Sequence, residues 1–540
     1  MLRAFKPRLV KSEDDKFWAK YCRFLDLSLE QFMTIQETML LDHLQKYGKT
    51  PLEKRLIGNE VPNSLNGFQK SVRLTTWNDY LPEMGINNED SLPEKPYVWV
   101  HTSGQGTSFM NIPYTLSFYN RLLDDLMAIF ILSCSSQRGQ SSIQEGDRVL
   151  FNVAPSPYLG GLLAAGATER FPLIPVYSPD AHDGMDFKQK IAKGFELSLK
   201  SGVDITIALT SVLVKMGKDF DSQSKKSKLS KYILQPSVLF RFAQAKVRSM
   251  LAGRSILPRD LWPMKALIGW GMDTSVYREQ VREYWGKYPY EFHACTEAGI
   301  LAIQSWTKKD LTFLPYTNFL EFIPESEWEK SKRDMSYQPR TILISEVESG
   351  KRYELVITNF HGMPFIRYRL GHLVKITSLH DEEAKIHLPQ MVFEGRSDDL
   401  IDIASFTRLS EKTITQAIAN AGLNTEGWSI RKEAKYDSPV LALYAELNNE
   451  TNLKEMASSL HQELKKVDYF YDDLDSMMDI QPVEVIALHP GTFSDFYSKR
   501  QASGAELSQL KPPRMNASDE DINELKTISK NLKERAGAGS

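Results

Sequence analysis

Met264-Lys-Ala-Leu-Ile-Gly-Trp-Gly271 reads as a short strand that runs straight into glycine. Two earlier stretches have the same character, Asp147-Arg-Val-Leu-Phe-Asn-Val153 and Asp204-Ile-Thr-Ile-Ala-Leu209. Helical or small-residue segments flank them: the run Leu116–Cys134, the Ser/Gln/Gly-rich loop Ser135–Ser142, and a small-residue turn or helix at Gly160–Ala167. Strands alternating with helices predict an α/β architecture. Toward the N-terminus, residues 14–83 read as helical, with Leu25, Leu29, Phe32, Ile35 and Met39 at helical spacing. Toward the C-terminus, Asn318–Ile323, Thr341–Ser345 and Tyr353–Thr358 alternate as half-buried antiparallel strands do. The lysine- and serine-rich segment Lys218–Lys231 reads as a solvated surface loop.

A boundary is expected near Gly395-Arg-Ser-Asp-Asp399. Beyond it Ser410 can cap a helix whose Ile414, Ile418 and Ala421 share a face, and Gly422 can close it. Strands and helices follow to Leu488 in a stretch small enough to be a separate domain. Ile522, Leu525, Ile528 and Leu532 mark one face of a last helix. The expected organisation is 1–394, a hinge at 395–399, and a smaller mobile domain over 400–540.

The 540 residues exceed one ordinary domain. A composition of 42% hydrophobic and 25% charged residues is that of a globular enzyme rather than a disordered chain. Lys and Arg number 66 against 69 acidic residues, so no broad basic field exists to hold nucleic acid. Cys22, Cys134 and Cys295 lie far apart without metal-ligand spacing, which fits a reducing compartment. The N-terminus lacks the apolar core of a signal peptide, and the apolar stretch around Leu126–Leu132 falls well short of the ~20 residues that span a bilayer. The expected location is the cytoplasm, with neither membrane nor nucleic acid as partner.

Five segments suggest chemistry. Thr102-Ser-Gly-Gln-Gly-Thr-Ser108 follows the strand-like Tyr97–His101, and such a loop can curl its N–H groups around an anion while Thr102, Ser103, Thr107 and Ser108 add hydroxyls. Phe292-His-Ala-Cys-Thr-Glu-Ala-Gly299 offers a hydroxyl for phosphate and a carboxylate for a divalent cation. In Pro364-Phe-Ile-Arg-Tyr-Arg-Leu-Gly-His372, Arg367 and Arg369 alternate on a strand and could face phosphate or carboxylate. Phe393-Glu-Gly-Arg-Ser-Asp-Asp-Leu400 reads as a hinge in which Arg396 and Asp398 could fix alternative orientations. Gly504–Arg514 sets Lys511 before Pro512 and Pro513, which stiffen the loop presenting its ammonium. Each also has a plain structural reading: a Ser/Gly turn, a helix-start acid, a surface salt bridge, a tight turn, an exposed lysine. No zinc spacing, esterase elbow or Walker loop appears.

The order of these segments resembles the adenylate-forming superfamily over nearly the whole chain. The narrower resemblance is to the Gretchen Hagen (auxin-conjugating type) acyl-acid amido synthetases. It is carried by Thr102-Ser-Gly with Pro113-Tyr-Thr, by Phe406-Thr-Arg-Leu-Ser-Glu-Lys-Thr-Ile414, and above all by Pro490-Gly-Thr-Phe through Gln509-Leu-Lys-Pro-Pro-Arg514. The hinge also looks like that of phenylacetate–CoA ligases. The resemblance implies a large α/β domain, with sheets flanked by helices plus a small β-barrel, and a mobile α+β lid. It implies ATP-dependent activation of a small carboxylic acid as an acyl-adenylate, with Mg²⁺, and transfer to an amine; the alternatives are a CoA thioester on the same scaffold, or a diverged non-catalytic member.

Carried onto this chain, Thr102, Ser103, Gly104, Thr107 and Ser108 would hold phosphates, Thr296 would bond the α-phosphate, and Glu297 would bind the metal. Gly269, Gly271 and Met272 would lie near the adenine. His293, His372 and Arg396 would join the nucleotide site, while Arg369 and Lys511 would act in catalysis. The chain departs from the family at His372, where an aspartate holds the ribose hydroxyls, at His293, where a tyrosine stands, and after Gly104, where the later lysine is missing.

Overall fold

The computed structural model describes residues 14–84, 88–102, 110–178, 187–225, 236–271, 274–334, 336–397, 400–403, 407–423, 425, 427–435, 438–447, 452–468, 471–472, 482–502 and 514–538. They divide after Ser397 into two compact units, Ser275–Tyr277 aside.

The first unit opens with helices, among them Asp14–Tyr21 and Leu29–Tyr47. The second begins where the Ser28 hydroxyl accepts from Gln31 N–H and the Gln31 side chain accepts from Ser28 N–H, so both donors are satisfied reciprocally. Its buried stripe runs Phe32, Gln36, Leu40, Leu44 and Tyr47, one step around from the stripe expected at Leu29, Ile35 and Met39. A glutamine lies within it because Gln36 donates to Pro315 and Asn318 carbonyls and accepts from Leu320 N–H.

Strands β1 (Val98–His101) and β2 (Asn111–Tyr114) pair antiparallel. After the helix Leu116–Ser133 comes a hairpin, β3 (Ser135–Gln137) with β4 (Gln140–Ser141), where a loop was expected. Ser135 and Ser141 hydroxyls both donate to the Ile131 carbonyl, holding the segment against the helix end. Then follow β5 (Arg148–Asn152), β6 (Ile174–Pro175), β7 (Ile205–Leu209), β8 (Ala266–Trp270), β9 (Tyr290–Cys295), β10 (Gly299–Gln304), β11 (Leu311–Phe313), β12 (Asn318–Pro324), β13 (Arg352–Asn359), β14 (Tyr368–Ser378) and β15 (Gln390–Arg396). They form one sheet in the order β12-β13-β14-β15-β11-β10-β9-β8-β7-β5-β6. Strands β5 to β9 run parallel, and β9 to β15 pair antiparallel. Strand β9 is the seam between the two halves.

Three expectations are corrected. Thr341–Ser345 is not a strand: Ile342 forms a single bridge to Phe322, and Glu346 accepts from Leu343 N–H and turns the chain into a 3₁₀ turn. Lys218–Lys225 belongs to the helix Thr210–Lys225, anchored by buried Val212, Leu213, Met216 and Phe220; the remainder of the lysine-rich segment lies outside the described residues. Strands β12 and β13 are buried on both faces rather than half-buried, since helices cover the sheet.

The second unit holds the hairpin β16 (Ile401–Ile403) with β17 (Thr407–Leu409) and a sheet of β18 (Trp428–Lys435), β19 (Ser438–Glu446) and β20 (Val483–Leu488). Ser410 caps the helix Glu411–Asn420, whose Ile414, Ala417 and Ile418 are buried. Ile522, Leu525 and Ile528 of the last helix, Asp519–Ala538, pack with Phe493, Phe496 and Tyr444. Among the described residues no helix is long and apolar enough to cross a membrane.

Candidate active site

The turn that joins β9 to β10 carries Thr296 and Glu297. All three of its carbonyls are engaged by neutral side chains. Tyr114 Oη donates to the Thr296 carbonyl at 2.7 Å, Asn359 Nδ2 to the Glu297 carbonyl at 3.1 Å, and Asn318 Nδ2 to the Ala298 carbonyl at 2.8 Å. Asn359 Nδ2 also reaches Asn318 Oδ1 at 2.7 Å. Gly299 closes the turn at φ 67°, and a Cβ there would lie 2.3 Å from Leu122 Cδ2; only glycine fits both conditions. With the backbone so fixed, the Glu297 carboxylate has no ion pair or hydrogen bond among the described residues. Burial, and after it the negative charges of Cys295 and Glu297, push the Tyr114 phenol up; burial and Glu297 do the same to Tyr368.

Beside this turn His293 Nε2 and His372 Nδ1 lie 3.0 Å apart, both rings buried. His293 stacks on Phe393 with centroids 4.5 Å apart, and His372 meets the same ring edge-on. A bulge in β14 over Leu370–His372, with Gly371 at φ 69°, sets His372 in this position. His372 pairs in register with Arg396 of β15. Burial and then the Arg396 charge hold His293 down at about 4, so it is neutral near pH 7. A neutral imidazole has one donor and one acceptor.

The expected adenine segment lies at the carboxyl end of β8, where ligands of open parallel sheets sit. Gly269 pairs with Glu291 in register, and a Cβ on it would meet Thr210 Oγ1 at 2.7 Å. Gly271 has φ 134°, and its carbonyl accepts from Thr274 Oγ1 at 2.9 Å. Thr102 is buried at the neck of its loop, where its hydroxyl accepts from Met110 N–H and its own N–H donates to the Met110 carbonyl. Ser103, Gly104, Thr107, Ser108, Met272, Asp398 and Lys511 lie outside the described residues.

The structure does not bring the two arginines of the 364–372 segment into this group. Arg369 meets Glu354 bidentately at 2.9 and 2.6 Å, and Glu354 is 1% exposed. Arg367 meets Glu321 at 3.0 and 2.8 Å and also donates to the Gln69 and Val72 carbonyls. They do face carboxylates bidentately, but those are buried glutamates of neighbouring strands. An unpaired cation in this double-covered sheet would cost several kcal/mol (roughly 3–5), so each is held by its own acid. Arg369, of which a catalytic role was expected, is held in that ion pair.

The sequence reading missed the residues that clamp the turn. Asn318 and Asn359 face each other across β12 and β13. Their only signal is an amide at the end of a largely apolar run, in Asn318-Phe-Leu-Glu-Phe and Leu355-Val-Ile-Thr-Asn359. Tyr114 lay inside the noted Pro113-Tyr-Thr, without an assigned partner.

A hard divalent cation fits this donor set in one way. Among the described residues no group of three or more His, Cys, Asp or Glu side chains could hold a metal. One unengaged carboxylate, Glu297, can hold Mg²⁺ only with phosphate oxygens and water completing its shell, which is how Mg²⁺ is ordinarily bound beside nucleotides.

Comparison with known proteins places this geometry. Residues 311–396 match the GH3 family central domain and residues 411–520 the GH3 family C-terminal domain. A jasmonoyl–L-amino acid synthetase, GH3.5 of Oryza sativa subsp. japonica, is 27% identical over 299 residues, 50% of this chain and 49% of that protein. JAR4 of Nicotiana attenuata, also a jasmonoyl–L-amino acid synthetase, is 29% identical over 231 residues, 41% of this chain and 37% of that protein. The chain thus spans about half the length of the first of these relatives. Among solved structures, the AtGH3.15 acyl acid amido synthetase in complex with 2,4-DB superposes with a TM-score of 0.54 at 17% identity, covering 97% of this chain and 98% of that one. A 2-hydroxyisobutyryl-CoA ligase in complex with 2-HIB-AMP and CoA gives 0.55 at 14% identity, covering 93% and 98%. Two segments of the chain are thus similar to the central and C-terminal domains of the GH3 family, in that order, and the chain has the fold of the acyl acid amido synthetase and of this CoA ligase.

Proposed function

We propose that the chain activates a small carboxylic acid with ATP and transfers the acyl group to an amine, as an acyl-acid amido synthetase. The observation that carries this reading is the Thr296–Glu297 turn, whose backbone carbonyls are engaged while its carboxylate is not. In the first step a substrate carboxylate oxygen attacks the α-phosphorus, the bond to the β-phosphate oxygen breaks, and pyrophosphate leaves. In the second an amine nitrogen attacks the acyl carbon, AMP leaves, and the amine proton passes to solvent. Mg²⁺, when bound, neutralises charge on the phosphates.

The chain's own residues orient and hold. Thr296 donates its hydroxyl toward the α-phosphate, and Glu297 anchors the cation. Ser103, Gly104, Thr107 and Ser108 contribute hydroxyls and N–H groups to the phosphates. Gly269 and Gly271, at the carboxyl end of β8, take the adenine together with Met272. The neutral His293 imidazole, bonded to His372, stands beside the ribose diol in place of a carboxylate. Arg396 sets a positive potential beside the pair.

Lys511 supplies positive charge to the adenylation transition state. Pyrophosphate exchange into ATP across a panel of carboxylic acids, with hydroxylamine trapping of activated acyl groups, tests the first step. Mass analysis of products formed with amino acids or with CoA then separates the amide from the thioester. Absence of exchange with every acid at saturating Mg·ATP would sink the proposal. A cytoplasmic location goes with it: the three cysteines are free, Cys22 and Cys134 buried.

A further inference from the structure

The opposite end of the same strands holds a second concave site. A cavity of about 760 Å³ opens beside Lys265, just before β8, Lys287, just before β9, and Lys308, in the turn before β11. Its other wall is the β3–β4 hairpin with Ser136, Gln140 and Ser142. The volume is that of an ordinary small-molecule site. β9 spans six residues, so this end and Thr296 are separated by roughly 20 Å.

The three cations differ in their engagement. Lys265 is neutralised by Asp147, at 2.7 and 3.0 Å. Lys287 and Lys308 have no carboxylate partner among the described residues. Lys308 sits half-buried in the left-handed region at φ 55°, uncommon for a lysine. Burial, then the charges of Lys287 and Arg278, push its ammonium below its ordinary value, with Cys134 acting in the other direction. Glu145, exposed, is the one acid in the lining. Like charges gathered in a cavity repel unless an anion joins them. A phosphate-bearing molecule would take both ammonium groups and the hydroxyl and amide donors of Ser136 and Gln140.

We propose that this cavity binds a small phosphate-bearing anion through Lys287 and Lys308. The site is independent of the reaction assigned above. The test is calorimetric titration of the full chain, without Mg²⁺, by inorganic pyrophosphate and separately by ADP, with acetylation footprinting of lysines read by mass spectrometry. Binding is expected, with Lys287 and Lys308 protected together. Lys287→Ala with Lys308→Asn, the asparagine tolerating the left-handed backbone, is expected to weaken it about tenfold or more. The Thr296→Ala chain is expected to bind as the parent does. Tighter binding of ADP would identify a nucleotide as the source of the phosphates, and equal or tighter binding of pyrophosphate a free phosphate anion. Affinity unchanged in the double variant, no protection of the two lysines, or dissociation constants above about 1 mM for both anions would overturn the proposal.

Discussion

The Thr296–Glu297 turn and the Arg367–Arg369 segment use their charged groups in opposite ways. In the turn, neutral groups from Tyr114, Asn318 and Asn359 take up the backbone carbonyls, and the carboxylate is left without a partner among the described residues. In the strand, the charged groups take up one another: Arg367 with Glu321, Arg369 with Glu354. A charge is available for chemistry where the surrounding scaffold does not need it. Spacing in a sequence shows the charge but not the need.

Glu321→Ala breaks this contrast on its structural side and carries the largest expected effect. It strands the Arg367 guanidinium, 5% exposed, in a site closed to water. The expected loss is about 3–5 kcal/mol of unfolding free energy, read by chemical denaturation. A loss under 1 kcal/mol would mean that Arg367 reaches solvent or another acid. Glu297→Ala breaks the other side. Its stability is expected to stay within about 0.5 kcal/mol of the parent, while pyrophosphate exchange falls about 10²- to 10³-fold. Exchange at the parental rate would remove Glu297 from the machinery.

Most of the fold was legible because burial repeats along the chain. Strands β5, β7 and β8 and the helix Leu116–Ser133 fall where apolar runs and their boundaries place them. Two of the misplaced elements share one cause, a polar side chain acting locally on the backbone. Serine hydroxyls hold the expected 135–142 loop as a hairpin, and Glu346 turns the expected 341–345 strand. In the candidate site, the Thr-Glu pair and the two histidines were visible as unusual residues in a recognisable order. Their partners were not, since Tyr114 and Thr296 are 182 residues apart and only folding brings them together.

The histidine pair sharpens the comparison through pH. Unfolded, His293 would titrate near 6.5; folded, it is held at about 4. Between these values the unfolded chain binds a proton that the native chain does not, so stability rises with pH across the window. The contribution is complete above 6.5 and is lost as pH falls toward 4, amounting to about 3 kcal/mol. Denaturation of the parent and of His293→Gln at pH 7.5, 5.5 and 4.5 isolates it, because titrations elsewhere cancel in the difference. The parent should lose more stability than the variant on acidification. Parallel curves would mean that the ring is already protonated in the native state.

Tyr114→Phe carries the smallest expected effect and separates positioning from bulk packing. The ring remains among Phe118 and its neighbours, and only the hydrogen bond to the Thr296 carbonyl is removed. Net stability should fall by about 1 kcal/mol, that of one buried hydrogen bond with its acceptor left unpaired. If the clamp matters only for folding, exchange should fall no further than the folded fraction does. If it holds the Thr296 hydroxyl and the Glu297 carboxylate in working geometry, exchange should fall several-fold at a temperature where the variant is fully folded, since small misplacements are costly at a reacting centre. Asn359→Ala acts one residue along the turn, releasing the Glu297 carbonyl together with Asn318 Oδ1 and the Phe365 N–H. Equal losses of exchange in the two variants, with the parental fold retained in each, would show that the turn acts as one rigid piece. A loss confined to Tyr114→Phe would place the requirement for rigidity on Thr296 rather than on the carboxylate beside it.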